Sequence, residues 1–316
     1  MQQRPLGRSG LSVSPLCLGG NVFGWTVDEA TSHALLDRYA EAGGNFIDTA
    51  NMYSAWVPGH AGGESESVIG RWLRASGQRG RMIVATKVGM EMPGLGKGLT
   101  RAQIERGAED SLRRLQVERI DLYYAHEDDP KTPLDETLAA FDRLVRDGKV
   151  RAIGASNYSA ERLDAAVAAS AAAGGARYEC LQPLYNLMER GGFEDQLAAT
   201  CARHEIGVAT YFSLASGFLS GKYRRAEDAA GRARAGGVKR HFTERGLRVL
   251  DALHATAERL GSRPATVALA WLMAQPAVTS AIASATSTAQ LDDLLNAMTL
   301  RLDAAALQQL ADASAG

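Results

Sequence analysis

Cysteine is scarce in this chain and dispersed: Cys17, Cys180 and Cys201 lie far apart and form neither a CxxC pair nor a metal-ligand spacing. That distribution argues against redox or catalytic roles and for three small buried hydrophobes in a reducing compartment. An apolar h-region is missing from Met1 to Arg8, so no signal peptide is expected. No run of about 18 strongly apolar residues occurs, so no membrane span is expected either. Charge of one sign is not in excess: the net charge is −1, which advertises no basic face for nucleic acid. A soluble, cytoplasmic protein is the expectation. Long polar low-complexity tracts are also lacking, and 316 residues, 46% of them hydrophobic, suffice for one sizeable core.

What is present is alternation. Gly7-Arg8-Ser9-Gly10, set between Leu6, Leu11 and Val13, reads as a hairpin ahead of the repeating part. Short apolar strands are predicted at 16–18, 45–48, 82–87, 120–126, 150–155, 179–183, 207–211 and 279–283. Helical periods fall at 28–41, 64–75, 100–115, 134–147, 160–173, 193–204 and 288–298, and Thr100 with Gln103 makes a capping box. Eight strands too apolar to face water, alternating with helices, argue a closed parallel (β/α)8 TIM barrel of one domain, residues 1–316. An open doubly wound sheet is the runner-up, but no GxGxxG follows the first strand. Three segments fall outside the repeat: a long Gly/Arg-rich loop at 213–242, two extra helices within 243–274 split by Gly261-Ser262-Arg263-Pro264, and a final helix from Ala304 to Asp312.

Asp48, Tyr53, Lys87 and His126 lie just past the C-terminal ends of predicted strands, where barrels build their active sites. A free tyrosine titrates near pH ~10. A buried ammonium beside its hydroxyl stabilises the phenolate, and a carboxylate fixes that ammonium and keeps it charged. Such a tyrosine donates a proton to a developing alkoxide, or accepts one in reverse, while a neighbouring histidine orients the carbonyl oxygen. Singly, each residue has a structural alternative, as a buried ion pair or a helix cap. Four on adjacent strand ends point to a site.

At these residues the chain resembles the aldo-keto reductases, along essentially its whole length. The resemblance runs from Leu6-Gly7-Arg8-Ser9-Gly10-Leu11 and Leu18-Gly19-Gly20 through Phe46-Ile47-Asp48-Thr49-Ala50-Asn51-Met52-Tyr53 and Gly63-Glu64-Ser65-Glu66. It continues through Ala85-Thr86-Lys87, Asp121-Leu122-Tyr123-Tyr124-Ala125-His126, Gly154-Ala155-Ser156-Asn157 and Gly217-Phe218-Leu219-Ser220-Gly221-Lys222. It implies a catalytic tetrad of Asp48, Tyr53, Lys87 and His126, with Tyr53 the proton donor, and an extended NADP. It further implies that Gly20 and Asn21 touch the cofactor, that Ser156, Asn157 and Gln182 hold its carboxamide and that Tyr211 stacks on the nicotinamide. Phe212, Ser213 and Leu214, with Gly217 and Lys222, match the pyrophosphate loop, whose usual serine and proline are here Phe212 and Ser213. Ser284, Thr286, Gln290 and Asp293 match the adenosine end, where neutral side chains replace the usual basic ones, so NAD is the alternative cofactor.

Phe23, Trp25 and Trp56 lie in the first two strand-to-helix loops and suggest a substrate wall, with Trp56 to Gly63 as a lip. The partner so implied is a small carbonyl or alcohol compound. Arg224, Arg225, Arg232, Arg234, Lys239 and Arg240 form a basic stretch, mostly solvated, with a minority near the cofactor phosphates. Two other functions are weighed. A regulatory NADP(H)-binding subunit with little turnover would share these residues, and the lack of an appended N-terminal segment tilts the expectation to a free enzyme. A metal-dependent hydrolase needs several histidines at strand ends, and of six only His126 ends one.

Overall fold

A computed structural model describes residues 2–231 and 235–315. β1 (Arg4–Pro5) and β2 (Ser12–Val13) pair antiparallel as the expected hairpin. Eight parallel strands follow: β3 (Leu16–Gly19), β4 (Phe46–Asp48), β5 (Ile83–Val88), β6 (Ile120–Ala125), β7 (Val150–Ser156), β8 (Tyr178–Gln182), β9 (Gly207–Thr210) and β10 (Ser280–Ala283). They close into a barrel, because β10 pairs with β9 on one side and with β3 on the other. Closure excludes the open doubly wound sheet.

The helices are α1 (Glu29–Glu41), α2 (Glu64–Ser76), α3 (Arg101–Leu115), α4 (Leu134–Arg146), α5 (Ala160–Ala173), α6 (Gly191–Glu194), α7 (Leu197–Arg203), α8 (Ala235–Lys239), α9 (Glu244–Arg259), α10 (Pro264–Ala274), α11 (Thr288–Asn296) and α12 (Ala304–Ser314). Thr100 and Gln103 cap α3 reciprocally, as their spacing predicts. The single helix expected over 193–204 is instead α6 and α7, interrupted at Gln196, whose φ of −141° is not helical. Within the 213–242 loop lie two short 3-10 turns, Ala215–Ser220 and Ala226–Ala229, and α8. Arg232 and Arg234 of the basic stretch lie outside the described residues. Among those described, no helix is long and apolar enough to cross a membrane.

Two hydrophobic layers follow from the two-residue period of the strands. Cys17, Phe46, Ala85, Tyr124, Ala152, Cys180, Ala209 and Ile282 form one cluster, the barrel interior, with Leu6, Leu11 and Val13 of the hairpin. Residues of the other parity, such as Leu18, Ile47, Val84, Tyr123, Ile153 and Leu181, join the larger cluster under the helices. Each large aliphatic or aromatic side chain so buried contributes about 1.5–3 kcal/mol, and each alanine less. Gly154 makes the interior possible, since a Cβ there would stand 2.6 Å from the Tyr124 ring. All three cysteines are buried and free. Burial pushes the Cys180 and Cys201 thiols up to about 12 and the Cys17 thiol well above its usual value, which removes reactive thiolate.

Moving two residues toward the C-terminus from the interior layer reaches its rim. Phe46 leads to Asp48, Ala85 to Lys87, Tyr124 to His126, Gly154 to Ser156, Cys180 to Gln182, Ala209 to Tyr211 and Ile282 to Ser284. Strand parity therefore aims seven polar or aromatic side chains at one end of the barrel.

Candidate active site

Lys87 is fully buried, and its ammonium donates to Asp48 Oδ2 at 2.7 Å, to the Thr49 carbonyl at 2.7 Å and to the Tyr53 hydroxyl at 2.9 Å. All three of its N–H directions are thus taken. Asp48 answers with both oxygens: Oδ2 also accepts from Tyr53 at 3.3 Å, and Oδ1 accepts from Gln182 Nε2 at 2.8 Å. Burial lowers the Lys87 pKa, and the Asp48 charge opposes that fall. His126 stands with its ring centroid 6.2 Å from that of Tyr53. Burial, and then the Lys87 charge, hold its imidazole well below the usual range, so it is neutral near pH ~7. Its Nδ1 is buried without a hydrogen-bond partner.

Asp48, Tyr53 and His126 open into a cleft of about 1390 Å³, with Lys87 buried behind them. At the barrel end it is lined by Ser156, Asn157, Gln182 and Tyr211. They are already linked: the Ser156 hydroxyl donates to the Gln182 carbonyl at 2.9 Å, and Asn157 Oδ1 accepts from the Tyr211 hydroxyl at 2.7 Å. The cleft continues past Phe212, Ser213, Leu214, Gly217 and Lys222. There the backbone turns left-handed repeatedly, with φ of 50° at Phe212, 47° at Ala215, 60° at Ser216 and 101° at Gly217. Such alternation turns N–H groups into a concavity suited to an anion. The side chain of Ser213 contributes nothing there, because its hydroxyl is buried and donates to the Thr210 carbonyl at 3.1 Å.

At its far end the cleft reaches Asn21, Ser284, Thr286, Gln290 and Asp293. Ser284 donates to Asn21 Oδ1 at 2.6 Å, and Gln290 Oε1 accepts from the Thr286 amide and hydroxyl, which leaves the Gln290 amino group pointing elsewhere. Gly20 is set back from the cleft: its N–H donates to the Asp48 carbonyl and its own carbonyl accepts from Ser65. The expected cofactor contact of Gly20 is therefore replaced by a strand-linking role.

The substrate wall needs a similar correction. Phe23 is fully buried in the helix-side core and does not line the cleft. Its position two residues before Trp25 in a short loop gave no hint of which ring turned inward. Trp56 does line the cleft, and Trp25 packs edge-on against it with centroids 5.3 Å apart. Several lining residues have no counterpart among the residues singled out from the sequence: Met52, Met90, Glu127 and, at the far end, Arg263. Arg263 occupies the N-cap of α10, an exposed cation where a capping acceptor is usual, and it makes no side-chain cap bond. That mismatch was readable in Ser262-Arg263-Pro264.

The cleft fits a nicotinamide dinucleotide in the chemistry of its donors: amides and an aromatic ring at one end, turned backbone with Lys222 in the middle, hydroxyls and arginines at the other. Among the described residues, no three His, Cys, Asp or Glu side chains gather as a metal-ligand group. A family model described as the aldo/keto reductase family matches residues 15–315. The chain is 37% identical to an uncharacterized oxidoreductase, YrpG, of Bacillus subtilis, over 99% of this chain and 95% of that protein. It is 32% identical to a probable voltage-gated potassium channel subunit beta of Arabidopsis thaliana, over 94% and 91%. It is also 32% identical to the L-glyceraldehyde 3-phosphate reductase of Escherichia coli, over 94% and 88%. With a closed eight-stranded barrel and a family match over nearly all its length, this chain belongs to the aldo/keto reductases, oxidoreductases of carbonyl and alcohol groups.

Proposed function

We propose that the protein is an NADP(H)-dependent oxidoreductase in which Tyr53 exchanges a proton with the oxygen of an aldehyde, ketone or sugar. The observation that carries this reading is the 2.9 Å contact from the buried Lys87 ammonium to the Tyr53 hydroxyl. When bound, the nicotinamide supplies or takes up the hydride. Tyr53 donates the proton to the developing alkoxide, and the Lys87 ammonium stabilises the phenolate left behind. Asp48 holds Lys87 in place and keeps it charged. His126, neutral and buried, hydrogen-bonds the substrate oxygen and aligns it with the tyrosine. Ser156, Asn157, Gln182 and Tyr211 would hold the nicotinamide end, and the backbone from Phe212 to Lys222 the pyrophosphate.

NADP is preferred to NAD on charge. The neutral loop at 284–290 lacks the family's usual cations, but Arg224 and Arg263 line the same cleft and suit a phosphate. Loss of NADPH absorbance on mixing with a panel of aldehydes tests the whole reading. The names of two relatives bear on the result. A phosphorylated aldehyde comes under consideration from the Escherichia coli reductase. A regulatory, cofactor-binding subunit comes from the plant channel subunit, and tight NADPH binding with no turnover of any aldehyde would favour it.

A further inference from the structure

Gly63-Glu64-Ser65-Glu66 takes part in the family resemblance but has no role in the chemistry above. It opens α2 from a left-handed Gly63, φ 82°. Ser65 and Glu66, in the first turn of that helix, are fully buried. The Ser65 hydroxyl donates to the Gly20 carbonyl at 2.8 Å. Its one proton is so committed, and toward Thr49 Oγ1, also at 2.8 Å, it acts as acceptor. Glu66 Oε1 accepts from the Thr86 hydroxyl at 2.5 Å, and Oε2 from Arg114 Nε of α3 at 2.6 Å. Gly63 permits the approach of Arg114, since a Cβ there would stand 2.4 Å from the arginine Cδ. One helix turn thus grips three neighbouring strand ends: Gly20 just past β3, Thr49 just past β4 and Thr86 within β5.

The gripped residues are those on which Lys87 depends. Its ammonium stands on β5, but its three acceptors, Asp48, Thr49 and Tyr53, belong to β4 and the loop after it. Its aim therefore follows the offset between these two strands. Their regular pairing ends at Asp48 and Ala85, one residue short of Thr49 and two short of Lys87. Beyond that point Thr49 carries both links: its carbonyl accepts from the Lys87 ammonium at 2.7 Å, and its hydroxyl is the one held by Ser65. Thr86 precedes Lys87 in the strand, so strand parity turns its side chain to the opposite face, toward Glu66. Gly20, the third residue gripped, donates its N–H to the Asp48 carbonyl at 2.7 Å.

We propose that Ser65 and Glu66 are positioning residues, which from outside the barrel fix the Thr49 carbonyl and the end of β5 so that the Lys87 ammonium stays aimed at Tyr53. This rests on the oxidoreductase reading above, in which Tyr53 gives the proton. Such a grip acts on the rate, because displacing a catalytic group by about 1 Å costs on the order of 10²-fold. It leaves cofactor binding alone, since Ser65, Glu66, Thr49 and Thr86 do not line the cleft.

The test uses three variants of the full chain. Thr86→Val keeps the shape of the side chain and deletes the bond to Glu66, Ser65→Ala releases Thr49, and Thr86→Ser keeps the hydroxyl. With NADPH and the best aldehyde of the panel above, the first two should lower kcat by about tenfold or more, with both KM values and NADPH affinity unchanged. Thr86→Ser should match the wild type. A second readout needs no turnover. The chain has six lysines, so 15N-lysine NMR resolves the Lys87 ammonium, identified by its absence in Lys87→Met. Its protons should exchange about fivefold faster in Thr86→Val and in Ser65→Ala, the worth of one loosened hydrogen bond. Variants that melt earlier yet keep the wild-type kcat and exchange rate overturn the proposal, as does a Thr86→Ser no better than Thr86→Val. If Thr86→Val does not fold, Ser65→Ala decides alone by the same measures. If the wild type turns over no aldehyde, the oxidoreductase reading fails, and the exchange rate still decides whether the helix turn holds the ammonium.

Discussion

The Tyr211 hydroxyl donates to Asn157 Oδ1 at 2.7 Å, while Asn157 Nδ2 donates to the His126 carbonyl at 2.9 Å. One amide thereby joins the ends of β6, β7 and β9. Asn157 does this from a left-handed backbone, φ 57°, which asparagine tolerates better than most residues. Tyr211 lines the cleft on one side and a neighbouring cavity of about 710 Å³ on the other, so this bond fixes how its ring stands between them. Asn157→Gly relieves the backbone and removes the bond. Steady-state titration should then show the NADPH KM raised by about fivefold, the worth of one hydrogen bond of about 1 kcal/mol. An unchanged KM would make Asn157 a mere turn residue.

Tyr53→Phe removes one oxygen from a half-buried ring. Turnover should fall by about 10² or more, the usual contribution of a positioned acid–base, with NADPH affinity nearly intact by fluorescence titration. Retained turnover would take Tyr53 out of the proton-donor role.

Lys87→Met strips the charge from a buried pair and leaves Asp48 alone. It should inactivate the protein and destabilise it by about 3–5 kcal/mol in denaturant melts. Adding Asp48→Asn removes the stranded charge, so the double variant regains much of that stability while staying inactive. A double variant no more stable than Lys87→Met would contradict the pairing.

His126 gives a pH signature. Its folded pKa lies well below the usual value, first through burial and then through Lys87. In the unfolded chain it titrates near ~6.5. Between the two values the unfolded state binds a proton that the folded state refuses, so stability is full above about 6.5 and is lost as the pH falls toward the folded value. His126→Gln lacks this term. The Tm advantage of wild type over variant should shrink as the pH drops from about 7.5 to about 5, and a constant difference would count against it.

Arg263→Ala tests cofactor choice. If the guanidinium meets the adenosine phosphate, NADPH binding weakens by about tenfold and NADH binding hardly changes, the loss expected for one charge-assisted hydrogen bond. Equal loss for both cofactors would place Arg263 at a phosphate they share.

Much of this was legible because strand parity is a local property. Lys87 follows Ile83 and Ala85 at two-residue steps, and His126 follows Leu122 and Tyr124 likewise, so the convergence of the rim follows once the barrel is assumed. What the sequence concealed depends on tertiary orientation. Phe23 and Trp25 share a loop, and packing alone decided that Phe23 turns inward. Gln196 carries no proline or glycine, so the break between α6 and α7 had no local marker. Ser213 stands where a phosphate contact was anticipated, yet its hydroxyl found the Thr210 carbonyl first.

The barrel closes where β10 pairs with β3, joining Ala281 to Leu16 and Ile282 to Cys17. The first and last staves of this wall are separated in sequence by every other strand of the barrel, so the wall can close only once all eight exist. Without that seam the wall would be an open sheet with two unpaired edges, the form most exposed to mispairing. Ser284, just past the last stave, then bonds to Asn21, just past the first, so one seam completes both the wall and the far end of the cleft.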